Sequence, residues 1–325
     1  MNQLKQLIND SGHTPVIPLA GFPGIQLTGT TVRENLFDPQ TQIKSLLALY
    51  EAVKPDGLFA MMDLTVEAEF LGCGLTIGDD DPPAVADPVL KNGAAVESIF
   101  ENKTVGGRMP LFAEVVSALK RSLDIPVCAY VIGPLTLAGE IMDLVHVMKA
   151  TRKNPAQLHQ VLSKSTELIL RYVTLLEEAG ADLICVLEPS AMMISAAQFQ
   201  EFSGRYCQKI FHEGISGMHV LHICGDTNHL IAEMEKTGAN GLSLDKQVYL
   251  PEAWNTLRRD TVLIGNIDPV SVLTFSDAAS VRKKSLELVR AMDGKENFIL
   301  SSGCDIPQLA PVENIKAMVS VRRGA

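Results

Sequence analysis

In "HVLHICGDTNHL", residues 219–230, a histidine and a cysteine, His222 and Cys224, stand two positions apart at the end of an apolar run. An imidazole nitrogen and a thiolate are ligands for thiophilic metals. Gly225 and Asp226 follow at once, as where a strand hands over to a loop and a helix. Another cysteine, Cys304, closes a similar run in "ILSSGCDIP". Two cysteines and a histidine on one spot suit zinc, which takes sulfur at about 2.3 Å and imidazole nitrogen at about 2.0–2.1 Å. Three protein ligands leave a fourth position exchangeable, which is the catalytic pattern rather than the closed structural one. His-X-Cys alone carries little weight, because an isolated cysteine is usually a small core residue. The zinc reading therefore depends on a fold that brings Cys304 to the same place.

Short β-rich runs alternate with stretches of helical period, which is the pattern of a parallel sheet. Eight strands are predicted, over 14–20, 57–62, 126–131, 182–187, 218–223, 241–244, 261–265 and 297–301. Helices are predicted over 39–53, 155–179, 198–213, 227–237, 277–291 and 311–320. Asp38-Pro39 opens the first of them as cap and first-turn proline. In "EEAGADLI" and "EKTGANGL" a glycine closes a helix just before the next strand. Strands too apolar to face water, each followed by a helix, predict an α/β fold, a (β/α)8 TIM barrel. It is read as one domain over residues 1–325, with 63–125 an elaborated loop after the second strand.

Chemistry in such barrels gathers at the C-terminal ends of the strands. Asp63 then ends the second strand, Glu188 the fourth, and His222 with Cys224 the fifth. Asp245 ends the sixth, Asn266 and Asp268 the seventh, and Cys304 the eighth. One rim collects a histidine, two cysteines and several carboxylates. Cys128 and Cys185 fall inside strands and read as core, as do Cys73 and Cys207 in packing positions. His219 is expected on the opposite side of its strand from His222, or deeper in the barrel.

A formal charge of −10 argues against a nucleic-acid partner, whose phosphates call for clustered Lys and Arg. The short basic clusters Arg258-Arg259, Arg282-Lys283-Lys284 and Arg322-Arg323 read as solvated faces or tails. No apolar run reaches the ~18 residues of a spanning helix, so no membrane partner is expected. The first residues show no signal-peptide core. Six cysteines in a chain this long form no dense disulfide framework, and a reducing cytoplasm is the expected setting.

Read in order, "MDLTVEAEFLGCGL", "IGPLTLAGEIMDL", "HICGDT", "GLSLDK", "IGNIDP" and "SSGCDIP" resemble the uroporphyrinogen decarboxylase superfamily over nearly the whole chain. The closer resemblance is to its methyltransferase branch, typified by methylcobalamin:coenzyme M methyltransferases, whose zinc signature His222, Cys224 and Cys304 resemble. True decarboxylases open with an arginine-rich motif; "GFPGIQLTGTTVRENLFDP" supplies only Arg33. The resemblance implies a zinc-dependent methyl transfer from a methylated corrinoid to a small thiol such as coenzyme M. The corrinoid would sit on a separate corrinoid protein, since nothing in the chain resembles a corrinoid-binding domain. Asp63 matches the decarboxylases' active-site aspartate and is expected to orient substrate or corrinoid. Asp245 is the candidate for a labile fourth zinc ligand, against a capping or loop role. Glu188 lines the pocket or bonds a neighbouring loop, and Glu67 and Glu69 fit a solvated helix face equally well. Three alternatives stay open: a metal-free decarboxylase using Asp63, a non-catalytic corrinoid- or metal-binding protein, and a corrinoid methyltransferase using tetrahydrofolate.

Overall fold

The first predicted strand contains Pro15 and Pro18, which have no N–H to give to a ladder. In the computed structural model, which describes residues 2–90 and 95–323, this segment makes a single parallel bridge, Val16 to Leu300. Ile17 N–H donates to Leu300 O at 3.0 Å, and Leu300 N–H to Pro15 O at 2.9 Å. On its other side Val16 O accepts the Asp56 N–H at 3.0 Å. The segment thus bonds to both ends of a curled parallel sheet. That sheet is made of β1 (Leu58–Phe59), β4 (Val127–Ile132), β5 (Leu183–Leu187), β6 (Met218–Ile223), β7 (Gly241–Leu244), β8 (Val262–Ile267) and β9 (Phe298–Ser302), in that order. The architecture is an α/β barrel of the TIM type, with seven ladder strands and one proline-interrupted segment where eight strands were expected.

The stretch after β1 divides in two. Residues 63–90 and 95–108 are elaboration, holding the helix Val66–Leu71 and an antiparallel hairpin of β2 (Gly74–Thr76) and β3 (Ala84–Asp87). Met109–Ser122, placed in a loop by the sequence reading, is a barrel helix whose buried face carries Phe112, Val115, Val116 and Leu119.

Elsewhere the predicted helices form for the predicted reasons. Asp38 Oδ2 accepts the Thr41 N–H at 2.8 Å and caps Pro39–Val53. The helix Pro155–Glu178 buries Leu158, Val161, Leu162, Ile169 and Val173, the stripe its period announced. Residues 196–214 differ, since two α-helical segments alternate with two π-helical ones, Gln200–Gly204 and Ile210–Gly214.

Alternate residues on the strands face opposite ways and build two cores. Inside the barrel lie Phe59, Cys128, Tyr130, Cys185, Val220, Val262 and Ile299. Phe59 and Tyr130 stack there at 4.6 Å between centroids. Leu221, Leu242, Leu263 and Leu300 face outward into the layer under the helices. Each such aliphatic side chain contributes roughly 1.5–3 kcal/mol on full burial. No described helix is long and apolar enough to cross a membrane.

Candidate metal centre

Strand register sets the site. Leu187 lies opposite His222, and His222 opposite Ser243. Met218, Val220 and His222 share the inward face of β6, so His219 points out. There its ring stacks on Phe211 at 5.1 Å and its Nδ1 sits 3.2 Å from Gly217 O. His222 stays inside and is 1% exposed.

The sulfurs join it at the strand ends. His222 Nε2 lies 3.0 Å from Cys224 Sγ, and Cys224 Sγ lies 3.0 Å from Cys304 Sγ. All three donor atoms fall within 4.8 Å of one another, and no other such group of His, Cys, Asp or Glu occurs among the described residues. Ser243 Oγ, 2.9 Å away, engages His222 Nδ1 and leaves Nε2 as the ligand nitrogen. A hydrogen bond from Cys224, helped by His222, holds the Cys304 thiol down to about 4 and pushes Cys224 up. One nitrogen and two sulfurs form a donor set that fits a thiophilic metal such as zinc.

A glycine beside each cysteine makes the convergence possible. Gly225 has φ +88°, a left-handed turn directly after Cys224. A Cβ on Gly303 would lie 2.8 Å from both Asp245 Oδ1 and the Lys246 nitrogen. Only glycine lets the end of β9 come that close to the end of β7.

The remaining rim residues are engaged elsewhere. Asp245 Oδ2 accepts the Gly225 N–H at 2.8 Å and Oδ1 the Lys246 N–H at 2.6 Å, outside the trio. Glu188 is fully buried, accepting the Leu135 and Thr136 N–H groups at 2.8 and 3.0 Å and the Ser203 hydroxyl at 2.8 Å. It caps the first turn of Pro134–Met142, and burial pushes its carboxyl up. Asn266 holds Asp245 O and Val248 O, and Asp268 pairs with Lys246.

Asp63 belongs to a separate cluster. It accepts the Thr65 N–H and hydroxyl, both at 2.7 Å, and is ion-paired with Arg108. Arg108 also pairs with Glu69 at 2.6 Å and lies over the Phe37 ring at 4.4 Å. Glu67 is no solvated residue. It is 1% exposed, accepts the Ile132 N–H at 3.0 Å, and burial pushes its carboxyl up to about 7. Arg33 is exposed, and its backbone N–H bonds Asp79 O. Sequence reasoning missed Ser243 and Arg108. A serine at an inward strand position, level with His222, was a legible sign; nothing adjacent in sequence marked Arg108.

The uroporphyrinogen decarboxylase family model matches residues 10–325. The chain belongs to this family. Within it, the chain is 30% identical over 295 residues to a methylcobamide:CoM methyltransferase of Methanosarcina barkeri, covering 88% of this chain and 84% of that protein. A uroporphyrinogen decarboxylase of Thermus thermophilus is 25% identical over 300 residues, 90% of this chain and 86% of that one. The solved structure of a methyltransferase from Methanosarcina mazei superposes with a TM-score of 0.86 at 26% identity, covering 96% and 94% of the two chains. These relatives put this member of the uroporphyrinogen decarboxylase family among the methyltransferases.

Proposed function

We propose that the chain transfers a methyl group from a methylated corrinoid to a small thiol such as coenzyme M, using zinc held by His222, Cys224 and Cys304. The observation that carries this reading is the convergence of those three donors at the mouth of the barrel. Zinc bound there would keep the substrate thiol ionised at neutral pH. The thiolate sulfur attacks the methyl carbon in line with the carbon–cobalt bond. A sulfur–carbon bond forms, and the carbon–cobalt pair departs with cobalt as cobalt(I). No proton needs to reach the leaving group, so the protein's work is positioning. Ser243 holds the ring of His222 in place through Nδ1, and Asp245 holds the Cys224–Gly225 turn. A fourth-ligand role for Asp245 asks a carboxylate oxygen that already accepts a backbone N–H to bind the metal as well and to give way to the substrate thiol. X-ray absorption with and without thiol reads that exchange, and an unchanged first shell assigns Asp245 to the turn alone. Asp63, held by Arg108, is proposed to orient the donor or acceptor, so Asp63→Asn weakens binding more than the single-turnover rate.

The reading includes one domain over residues 1–325, a cytoplasmic setting, and a separate corrinoid protein as physiological donor. Anaerobic spectroscopy of methylcobalamin with coenzyme M tests it. Wild type should convert the methylated to the cob(I) form, and Cys224→Ala should abolish the reaction. Turnover with tetrahydrofolate but with no thiol would change the acceptor only. Loss of carbon dioxide from a porphyrinogen that survives thorough chelation would establish the decarboxylase instead.

A further inference from the structure

Exposed large apolar side chains gather at one end of this barrel. Nine occur among the described residues, and all nine lie between the C-terminal end of a ring segment and the helix that returns to the next strand. Scattered singly over the surface they would need no explanation. Confined to the face that carries the metal centre, they mark an interaction surface.

The two most exposed, Phe275 at 79% and Leu309 at 75%, follow β8 and β9. Gln26 Nε2 donates to Ala310 O at 2.8 Å and to Gln308 O, tying the turn that exposes Leu27 to the one that exposes Leu309. Asn314 Nδ2 donates to Leu273 O at 2.9 Å and Ser276 O at 2.8 Å, which fixes the turn carrying Phe275. These neighbouring connections form one braced apolar patch. Exposed Asp79, Asp80 and Asp81 adjoin it, where Gln308 donates to Asp80 O.

A second patch follows β4 and β5, where Val145 is 58% and Met193 56% exposed. Lys149, Arg152 and Lys153 stand exposed on the helix of Val145, Leu144–Lys153, and none pairs with a carboxylate among the described residues. No Asp or Glu occurs between Asp143 and Glu167, although the whole chain carries −10. The order of the ring sets the two patches on opposite sides of the mouth, β8, β9 and the Val16 segment against β4 and β5. His222 and Cys224 come from β6 and Cys304 from the end of β9, so a body resting on both patches covers the three donors.

A small molecule sits on one side of such a mouth; a body of protein size, burying about 800 Å² per partner, reaches both. A bilayer fits poorly, because its anionic headgroups would meet Asp79, Asp80 and Asp81. We infer that the mouth is the docking face for the protein that carries the corrinoid, acidic where it meets Lys149, Arg152 and Lys153 and apolar where it meets Phe275 and Leu309. The inference rests on the methyl-transfer reading above, in which the donor arrives over the three metal ligands. Charges of opposite sign on the two sides of the mouth set the partner's orientation. Braced turns lose little freedom when it docks.

The probe is a corrinoid protein loaded with methylcobalamin, set against free methylcobalamin. Isothermal titration without thiol gives its Kd on wild type, Phe275→Ser/Leu309→Ser and Arg152→Glu/Lys153→Glu. All four replaced side chains are exposed, and circular dichroism confirms the fold. Each variant should bind the corrinoid protein about tenfold more weakly, the loss expected of truncated anchors or reversed charges at an interface. Added salt should narrow the gap for the Glu variant and not for the Ser variant. Demethylation of free methylcobalamin should stay at the wild-type rate in both. Wild-type affinity in both variants, no binding by wild type, or an equal loss with free methylcobalamin overturns the docking face. So does flotation of wild type with phosphatidylglycerol vesicles, or a dimer in ultracentrifugation that the variants split, since either names another occupant. Because titration needs no turnover, a chain that binds as expected but does not demethylate refutes the methyl-transfer reading and leaves the docking face standing.

Discussion

Ser243 touches no reacting atom, yet it decides which nitrogen of His222 faces the two sulfurs. Ser243→Ala frees the ring to rotate. Zinc affinity is expected to fall about 10–100-fold, the usual effect of losing a partner behind a ligand histidine. Competition with a chelating dye measures it, and affinity within twofold of wild type would remove Ser243 from the site. Cys304→Ala goes further and should leave the purified protein with little zinc by elemental analysis. Glu67 gives a prediction in pH. Its carboxyl rises from 4.5 in the open chain to about 7 in the fold because it is buried. Between those values folding takes up a proton, so this group's contribution falls as pH rises, by about 3 kcal/mol in total. Urea denaturation of wild type and Glu67→Gln at pH 5 and pH 8 isolates it. The difference in stability between the two pH values should shrink in the variant.

Glu188 acts at the scale of an element. Its three buried acceptor contacts tie the end of β5 to the first turn of Pro134–Met142 and to Ser203 in the π-helical segment. Removing it leaves the Leu135 and Thr136 N–H groups buried without that acceptor and the Ser203 hydroxyl with only Cys207 Sγ, which is expensive. Glu188→Ala should destabilise the fold by about 3 kcal/mol or more. Glu188→Gln keeps one acceptor oxygen and should recover part of that. If the zinc-loaded Gln variant kept full stability but lost methyl transfer, Glu188 would move from scaffold to chemistry.

For the whole molecule, Asp56 joins distant parts of the chain. Its carboxylate accepts the Val16 N–H at 2.8 Å, pairs with Arg322 at 2.5 Å, and lies 3.3 Å from His13 Nε2. The residue that closes the ring between β9 and β1 and the last described helical turn thus share one anchor. Arg322, read from sequence as part of a solvated tail, is half-buried in this contact. Asp56→Ala should lower stability by about 2 kcal/mol, read as a drop in thermal midpoint, with Arg322→Ala costing less. An unchanged midpoint would mean that the ring closes through backbone bonds alone.

The barrel was legible because a strand buried on both faces is an apolar run of four to six residues, and the chain repeats such runs between amphipathic helices. His222, Cys224 and Cys304 could be placed on one rim because each lies at the end of such a run. The first ring segment was not legible as a near-strandless bridge, since its apolar pattern hides what Pro15 and Pro18 do to the ladder. Glu67 fitted a solvated helix face as well as a site role because nothing local reports that its helix leans onto the end of β4. The pairing of Asp63 with Arg108 spans 45 positions, and the contact of the two sulfurs spans 80. Residue types and strand ends are properties of short windows. Which carboxylate meets a cation, and which a backbone N–H, depends on how βα loops pack across the mouth, and that is settled by contacts between windows far apart in the chain.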